Sequence, residues 1–128
     1  MREGITRQLH RFAAEVTRGL GIPKACAGII EVAALHRRRL SFAEIAVRVR
    51  ISERSLRDHL GILVRKGILL REVAITRSRR LAYSYTMAPL GDVLRMVRGE
   101  LALKLERLQR LSAEVRAKHR SVAGGSGQ

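Results

Sequence analysis

Three polar side chains lie at the start of a segment that is predicted to be helical, residues 52–66. These side chains are Arg54, Ser55 and Arg57, and they face away from an apolar stripe of Leu56, Leu60, Leu63 and Val64. A guanidinium group can donate two parallel hydrogen bonds to O6 and N7 of guanine, the commonest specific contact in the major groove of DNA. The three residues are therefore predicted to read base edges.

A second cationic group lies between two predicted strands, at residues 69–76 and 81–86. It consists of Arg77, Ser78, Arg79 and Arg80. An exposed arginine-rich tip can reach phosphates or an adjacent minor groove, where arginine is favoured. The alternative is a charged loop that only improves solubility.

Further side chains near the predicted helix are candidates for contacts with the DNA backbone, which position a protein without reading sequence. They are Arg48, Arg50, Ser52 and Arg65. Asp58 has two interpretations. It could accept a hydrogen bond from cytosine N4, or it could pair with Arg54 at i, i+4, and the salt bridge is the favoured interpretation.

Two helix starts eleven residues apart position these groups. Ser41 and Glu44 have the spacing of a capping box, with Leu40 and Ile45 at the positions of a hydrophobic staple, and Ser52 is the second N-cap. This spacing leaves room for one short helix and a tight turn, which is typical of a helix-turn-helix. The hairpin that follows completes a winged helix-turn-helix, mainly α with a small β-hairpin wing.

Long helices are predicted on both sides of this unit. The first runs from about residue 3 to 18, a second from about 23 to 38, and the last from 89 to about 119. The last helix has an apolar stripe of roughly four heptads, interrupted at Lys104, which favours a coiled-coil seam between two copies. The residues predicted to mediate dimerisation are Leu94, Val97, Leu101, Leu108 and Leu111.

The predicted organisation has four parts. Residues 1–22 form an N-terminal dimerisation helix, 23–88 the winged helix-turn-helix, 89–120 the C-terminal dimerisation helix, and 121–128 a flexible tail that contains Gly124-Gly125-Ser126-Gly127.

The charge of the chain points to a polyanionic partner. The 128 residues have a net charge of +15, and residues 37–80 alone hold thirteen basic and four acidic side chains, a net +9. A solvated basic surface would explain the sum but not this concentration. Aromatic residues make up only 3% and Trp is absent, which argues against stacking platforms for RNA or single strands. Double-stranded DNA is the expected partner.

Other kinds of site have little support in the sequence. The only cysteine, Cys26, excludes an internal disulfide and a multi-cysteine zinc site, and we expect it to be buried. His59 is expected to be packed and hydrogen-bonded. We find no enzyme motif and expect no metal or cofactor. With no apolar signal core and no long apolar run, a cytoplasmic, nucleoid-associated location is expected.

The run from Ala43 to Leu60, followed by Lys66-Gly67-Ile68-Leu69, resembles prokaryotic winged-helix transcriptional regulators. It is most similar to the arsenic-repressor type and to the archaeal sugar-responsive TrmB type, over roughly residues 23 to 88. Residues 52–60 match the recognition-helix segment of these families, and residues 77–80 match the wing tip. Arg50 stands where these families often have glycine, and the paired metal-binding cysteines of arsenic repressors have no counterpart.

The resemblance and the charge together predict a homodimeric, sequence-preferring transcriptional regulator whose small-molecule effector is left unspecified. Two other classes remain open. One is an architectural protein that coats DNA with little sequence preference, and the other is a winged-helix module for protein interaction. The ratio of specific to non-specific DNA affinity distinguishes a regulator from an architectural protein. Absence of DNA binding would favour the protein-interaction module.

Overall fold

Eight helices and strands form the chain in the computed structural model, which describes the backbone of residues 2–126 and the side-chain surroundings of residues 4–123. In order they are α1 (Arg2–Leu20), α2 (Cys26–His36), β1 (Leu40–Ser41), α3 (Phe42–Ala46), α4 (Glu53–Lys66), β2 (Leu69–Ile75), β3 (Leu81–Met87) and α5 (Leu90–Ser126).

The two predicted caps are confirmed, and they define where α3 and α4 begin. The Ser41 hydroxyl accepts a hydrogen bond from the Glu44 N–H, and the Glu44 carboxylate accepts one from the Ser41 N–H, each at 3.1 Å. The Ser52 hydroxyl accepts from the Ser55 N–H, also at 3.1 Å. None of the residues with positive φ lies in the turn between α3 and α4, so Arg50 needs no glycine-like conformation there.

The wing is the antiparallel hairpin of β2 and β3, paired from Leu69 with Met87 to Ile75 with Leu81. The predicted hairpin is therefore confirmed. A third strand, β1, adds to the other edge of β3 with Leu40 opposite Tyr85, which gives the sheet order β1-β3-β2. Two residues are too few to show an alternating pattern, so periodicity did not predict β1.

The core lies between the helices and the proximal end of the sheet. Its largest fully buried side chains come from α2, the helix-turn-helix, the sheet and the start of α5, and include Ile29, Ile30, Leu40, Ile45, Leu56, Leu60, Leu63, Ile68, Leu69 and Val93. Cys26 is also fully buried, as expected, and burial raises the pKa of its thiol to about 11. A buried thiol is desolvated and stays neutral.

The boundaries of α2 and α5 differ from those predicted. The second helix begins at Cys26 instead of Pro23, because the Cys26 N–H bonds to the Pro23 carbonyl in a preceding turn. α2 ends at His36 instead of near Arg38, because its C-cap, Arg37, has a left-handed backbone with φ 52°. The last helix continues to Ser126, past its predicted end near His119 and into the segment predicted to be a tail. Glycine lowers helix propensity by about 1 kcal/mol but does not prevent the backbone hydrogen bonds of a helix.

The start of α5 packs on its own domain. Val93 is fully buried, and Val97 lies so close to α1 that a Cβ on Gly19 would approach its methyl group to 3.0 Å. The Lys104 ammonium donates a hydrogen bond to the Gly19 carbonyl at 3.1 Å. From Leu101 to Ala123 every side chain is exposed. Val97, predicted for the dimer seam, is thus half-buried against its own domain.

Candidate nucleic-acid interface

The most exposed face of α4 carries two arginines and one carboxylate. At 3.6 residues per turn, Arg54, Asp58 and Arg65 fall within about 40° of one another, on the side opposite the buried Leu56, Leu60 and Leu63. We call Arg54, Asp58 and Arg65 the outer ridge. All three are exposed, so this face can meet a partner without any rearrangement of the core.

The other two predicted base readers lie on the flanks of this ridge. Arg57 lies over the Phe42 ring, with its guanidinium carbon 4.6 Å from the ring centroid, and pairs with Glu53 at 2.6 Å. On the opposite flank, the hydroxyl of half-buried Ser55 is hydrogen-bonded to His59 Nδ1 at 3.1 Å. His59 is packed and hydrogen-bonded as predicted. The structure therefore separates the three predicted residues, and only Arg54 points straight outward.

The favoured salt bridge between Arg54 and Asp58 is wrong. Among the ion pairs of the described residues, the i, i+4 pair on α4 is Glu53 with Arg57. Stacking on Phe42 holds Arg57 on the side of α4 that faces α3, within reach of Glu53, and a pair with the acid N-terminal to the base is the favourable orientation. Asp58 is consequently left on the outer ridge between two arginines that do not bind it.

The wing tip is an ordered turn that exposes its three guanidinium groups. The Thr76 N–H bonds to the Arg80 carbonyl and the Arg79 N–H to the Thr76 carbonyl, both at 2.9 Å. The Thr76 hydroxyl accepts from the Arg80 N–H at 3.1 Å and lies 3.0 Å from the Ser78 hydroxyl. Ser78 thus helps to order the turn, while Arg77, Arg79 and Arg80 are exposed. Arg79 has a left-handed backbone, with φ 58°.

The predicted backbone contacts lie in two places. Ser52 caps α4, and Arg65 lies on the outer ridge, where one of its terminal nitrogens would be 3.2 Å from a Cβ on Gly61. Arg48 and Arg50 lie instead in the turn before α4, exposed beside α2. Arg48 donates to His36 Nε2 at 3.1 Å and to the Glu44 carbonyl at 2.7 Å, so its side chain also stabilises the end of α3.

Residues 37–80, the most basic part of the chain, contain four acidic side chains, and most of these form ion pairs. Glu44 pairs with Arg38 and Glu72 with Arg39, each at 2.9 Å, and Glu53 pairs with Arg57. The hydrogen bond from the Ser41 backbone, followed by the one from Arg38, holds the pKa of Glu44 below its usual value. Three of the four acids in residues 37–80 are therefore neutralised within the fold, and Asp58 is the exception.

Metal-binding clusters and membrane-spanning helices are both absent from the described residues. No group of three or more His, Cys, Asp or Glu side chains is placed to hold a metal ion. In the same part of the chain, no helix combines the length and apolar character that crossing a membrane requires.

The comparison with known proteins supports the fold. No protein-family profile and no curated protein sequence matches the chain. Among solved structures, a possible transcriptional regulator from Methanosarcina mazei Go1 is similar with a TM-score of 0.70 and 14% identity, over 77% of this chain and 83% of that chain. A protein from the thermoacidophilic archaeon Sulfolobus tokodaii has a TM-score of 0.62 and 15% identity, over 82% of this chain and 98% of that one.

A third similar structure contains nucleic acid. It is a mutant of S. aureus MepR bound to an oligodeoxyribonucleotide, with a TM-score of 0.52 and 17% identity, over 98% of this chain and 94% of that one. MepR is a transcription regulator of a multidrug efflux pump. The chain therefore has the winged helix-turn-helix fold that occurs in transcriptional regulators. The predicted fold class is confirmed, and identities this low show the fold alone.

Sequence reasoning missed two features of the interface. The stacking of Arg57 on Phe42 joins residues from different helices and leaves no periodic signal. The outer ridge did have a signal, because the positions diametrically opposite Leu56, Leu60 and Leu63 on a helical wheel are 54, 58 and 65. Assigning Arg54, Ser55 and Arg57 together to the face opposite the apolar stripe concealed it.

Proposed function

We propose that the chain is a transcriptional regulator, not an enzyme, that binds double-stranded DNA with sequence preference and acts as a homodimer. The observation that carries the proposal is the outer ridge of α4, whose Arg54 and Arg65 face outward from a helix-turn-helix beside an exposed arginine turn. This arrangement suits insertion of α4 into the major groove, since helix-turn-helix proteins place the recognition helix there.

Each cationic group then has a distinct role. Arg54 donates to a guanine edge from the N-terminal part of α4, while Ser55 and Arg57 border the contact from the flanks. Ser52, at the N-terminus of α4, and Arg65 lie against phosphates, and Arg48 and Arg50 contribute positive charge near the turn. Arg77, Arg79 and Arg80 of the wing bind the backbone or the neighbouring minor groove.

The homodimer is proposed from the exposed part of α5. Leu101, Leu108, Leu111 and Val115 are each about half exposed or more, and a contiguous apolar surface of this kind is typical of an interface. Leu94 continues the same surface toward the domain and is 59% exposed. Two copies joined there would place two α4 helices on one duplex, and dimeric helix-turn-helix proteins bind half-sites roughly 34–36 Å apart.

A salt titration tests the DNA-binding part of the proposal. Each phosphate contact contributes about −0.9 to the slope of log K against log salt for a B-form duplex. Fluorescence anisotropy with a labelled random duplex should therefore give a slope of about −4 or steeper, for four or more contacts. The variant with alanine at Arg77, Arg79 and Arg80 should give a shallower slope and weaken all duplexes evenly. A slope near zero in the intact protein would contradict the proposal and favour a protein-interaction module.

Sequence preference is tested by the ratio of affinities for a selected and a random duplex. A regulator binds its preferred site about 10³-fold or more tightly than random DNA. A ratio near one, together with steep salt dependence, would instead identify an architectural DNA-binding protein.

A further inference from the structure

We propose that Asp58 selects the bases of the operator, by accepting a hydrogen bond from the exocyclic N4 amine of a cytosine in the major groove. This inference rests on the proposed function and names one base that the site requires. Among the four acidic residues in residues 37–80, Asp58 alone has no ion pair with an arginine. It lies at the middle of the outer ridge.

The position of the carboxylate makes it costly for general DNA binding. Exposed Asp58 lies between Arg54 and Arg65 on the face that would meet DNA, where a negative charge is repelled by phosphates. Neither of these arginines forms an ion pair with it among the described residues. A hydrogen-bond donor on a base edge is the group in DNA that would offset this repulsion.

The chemistry of the base edges favours cytosine. Its N4 amine is a donor, and an aspartate carboxylate is an acceptor-only group. Adenine N6 is also a donor, but the neighbouring N7 is an acceptor that repels a carboxylate, whereas an asparagine amide can satisfy both atoms. The carboxylate at position 58 therefore distinguishes cytosine from adenine.

The surroundings of Asp58 allow close approach to a base pair. Gly61 lies beside it on the outward side of α4 and adds no side chain, and the Arg65 guanidinium lies across Gly61. Arg54 is one turn away, about 6 Å along the helix axis at 1.5 Å per residue. A guanine bound by Arg54 and a cytosine bound by Asp58 should therefore lie within about two base pairs of each other.

The test is selection of duplexes from a random library by the full chain and two variants, Asp58→Ala and Asp58→Asn. The wild type should select cytosine at one position of each half-site. Asp58→Ala should reduce that preference by about 5- to 150-fold and should bind random duplex more tightly, because one negative charge is lost. Asp58→Asn should shift the preference at the same position toward adenine, which the asparagine amide recognises in a bidentate manner.

Glu53→Gln is the matched control, because it removes the same charge from the same helix while leaving the outer ridge intact. It should change affinity without changing base preference at that position. Unchanged preference in both Asp58 variants, with tighter binding to every duplex, would overturn the inference and leave the proposed function standing. If the wild type selected no base at any position, both the inference and the proposed sequence preference would be overturned. Circular dichroism melting should show that each variant is folded, since position 58 is exposed.

Discussion

The two halves of α5 differ in what surrounds them, although they form one continuous helix. In the proximal half, up to Lys104, Val93 is fully buried, Met96 and Val97 pack on the core, and Glu100 pairs with Lys66 at 3.3 Å. In the distal half, residues 105–126, every described side chain is exposed. At 1.5 Å per residue, these 22 residues extend about 33 Å from the last hydrogen bond to the domain.

The difference lies in which row of side chains is apolar. The proximal half turns Val93 and Val97 toward α1 and the core, with Lys104 continuing that side of the helix. A second row, exposed and offset from Val93 and Val97 around the helix, repeats every seven residues, at Leu94, Leu101, Leu108, Val115 and Val122. A strict seven-residue repeat is typical of a coiled-coil seam. One helix thus carries an intramolecular row and a second, exposed row, which we propose binds a second copy of the chain.

Removing residues 105–128 is the largest perturbation of this comparison. The domain should remain folded because its contacts with α5 end at Lys104, while the dimer should be lost. A monomer engages one half-site, so operator affinity should fall by about 100-fold or more. Light scattering and anisotropy would measure the two effects. Deletion of residues 124–128 alone is the control and should leave both unchanged, and an intact chain that is monomeric at micromolar concentration would refute the dimer.

Alanine substitutions in the two halves should have effects of different kinds. Val93→Ala creates a cavity in the core and should reduce the free energy of unfolding by about 2 kcal/mol at any protein concentration. Leu108→Ala should leave the isolated domain unchanged but lower the melting temperature at protein concentrations at which the intact chain is dimeric, because association stabilises the folded state by mass action.

Leu103→Ala is the matched control for Leu108→Ala. Leu103 is similarly exposed, at 51%, but lies off the seven-residue row. Its substitution should change neither the melting temperature nor its dependence on concentration. If Leu103→Ala and Leu108→Ala weakened association equally, the row would not be the interface.

The smallest expected effect is at Lys104, where the two rows meet. Lys104→Leu removes the hydrogen bond to the Gly19 carbonyl, an exposed contact whose loss should cost about 0.5–1 kcal/mol of domain stability. The same change restores an apolar residue at the interrupted heptad position, so association should strengthen. Denaturant titration of the protein truncated after residue 104 would measure the loss of domain stability. Sedimentation of the full chain would measure the gain in association. Lys104→Ala should lower domain stability without strengthening association. A gain in domain stability from Lys104→Leu would contradict a stabilising role for the hydrogen bond between Lys104 and the Gly19 carbonyl.

Local features of this fold could be predicted from sequence, whereas contacts between distant segments could not. Ser41, Glu44 and Ser52 act within one helical turn, so the capping pattern predicted both helix starts. The stack of Arg57 on Phe42 and the contact of Lys104 with Gly19 depend on how helices pack, and no spacing in the sequence encodes them. At Lys104 the heptad pattern correctly indicated an irregularity. The residue that Lys104 contacts, Gly19, lies 85 residues earlier in the chain, so the sequence pattern could not identify it.

The two non-glycine residues with positive φ in the described chain are both arginines, Arg37 after α2 and Arg79 in the wing turn. Glycine adopts this conformation without steric cost, whereas other residues lose roughly 1–2 kcal/mol. Selection for thermal stability alone should therefore replace these arginines with glycine or asparagine. The same selection under a requirement for DNA binding should retain Arg79. Comparing the residues recovered at position 79 in the two selections would therefore measure what the charge of Arg79 contributes to DNA binding.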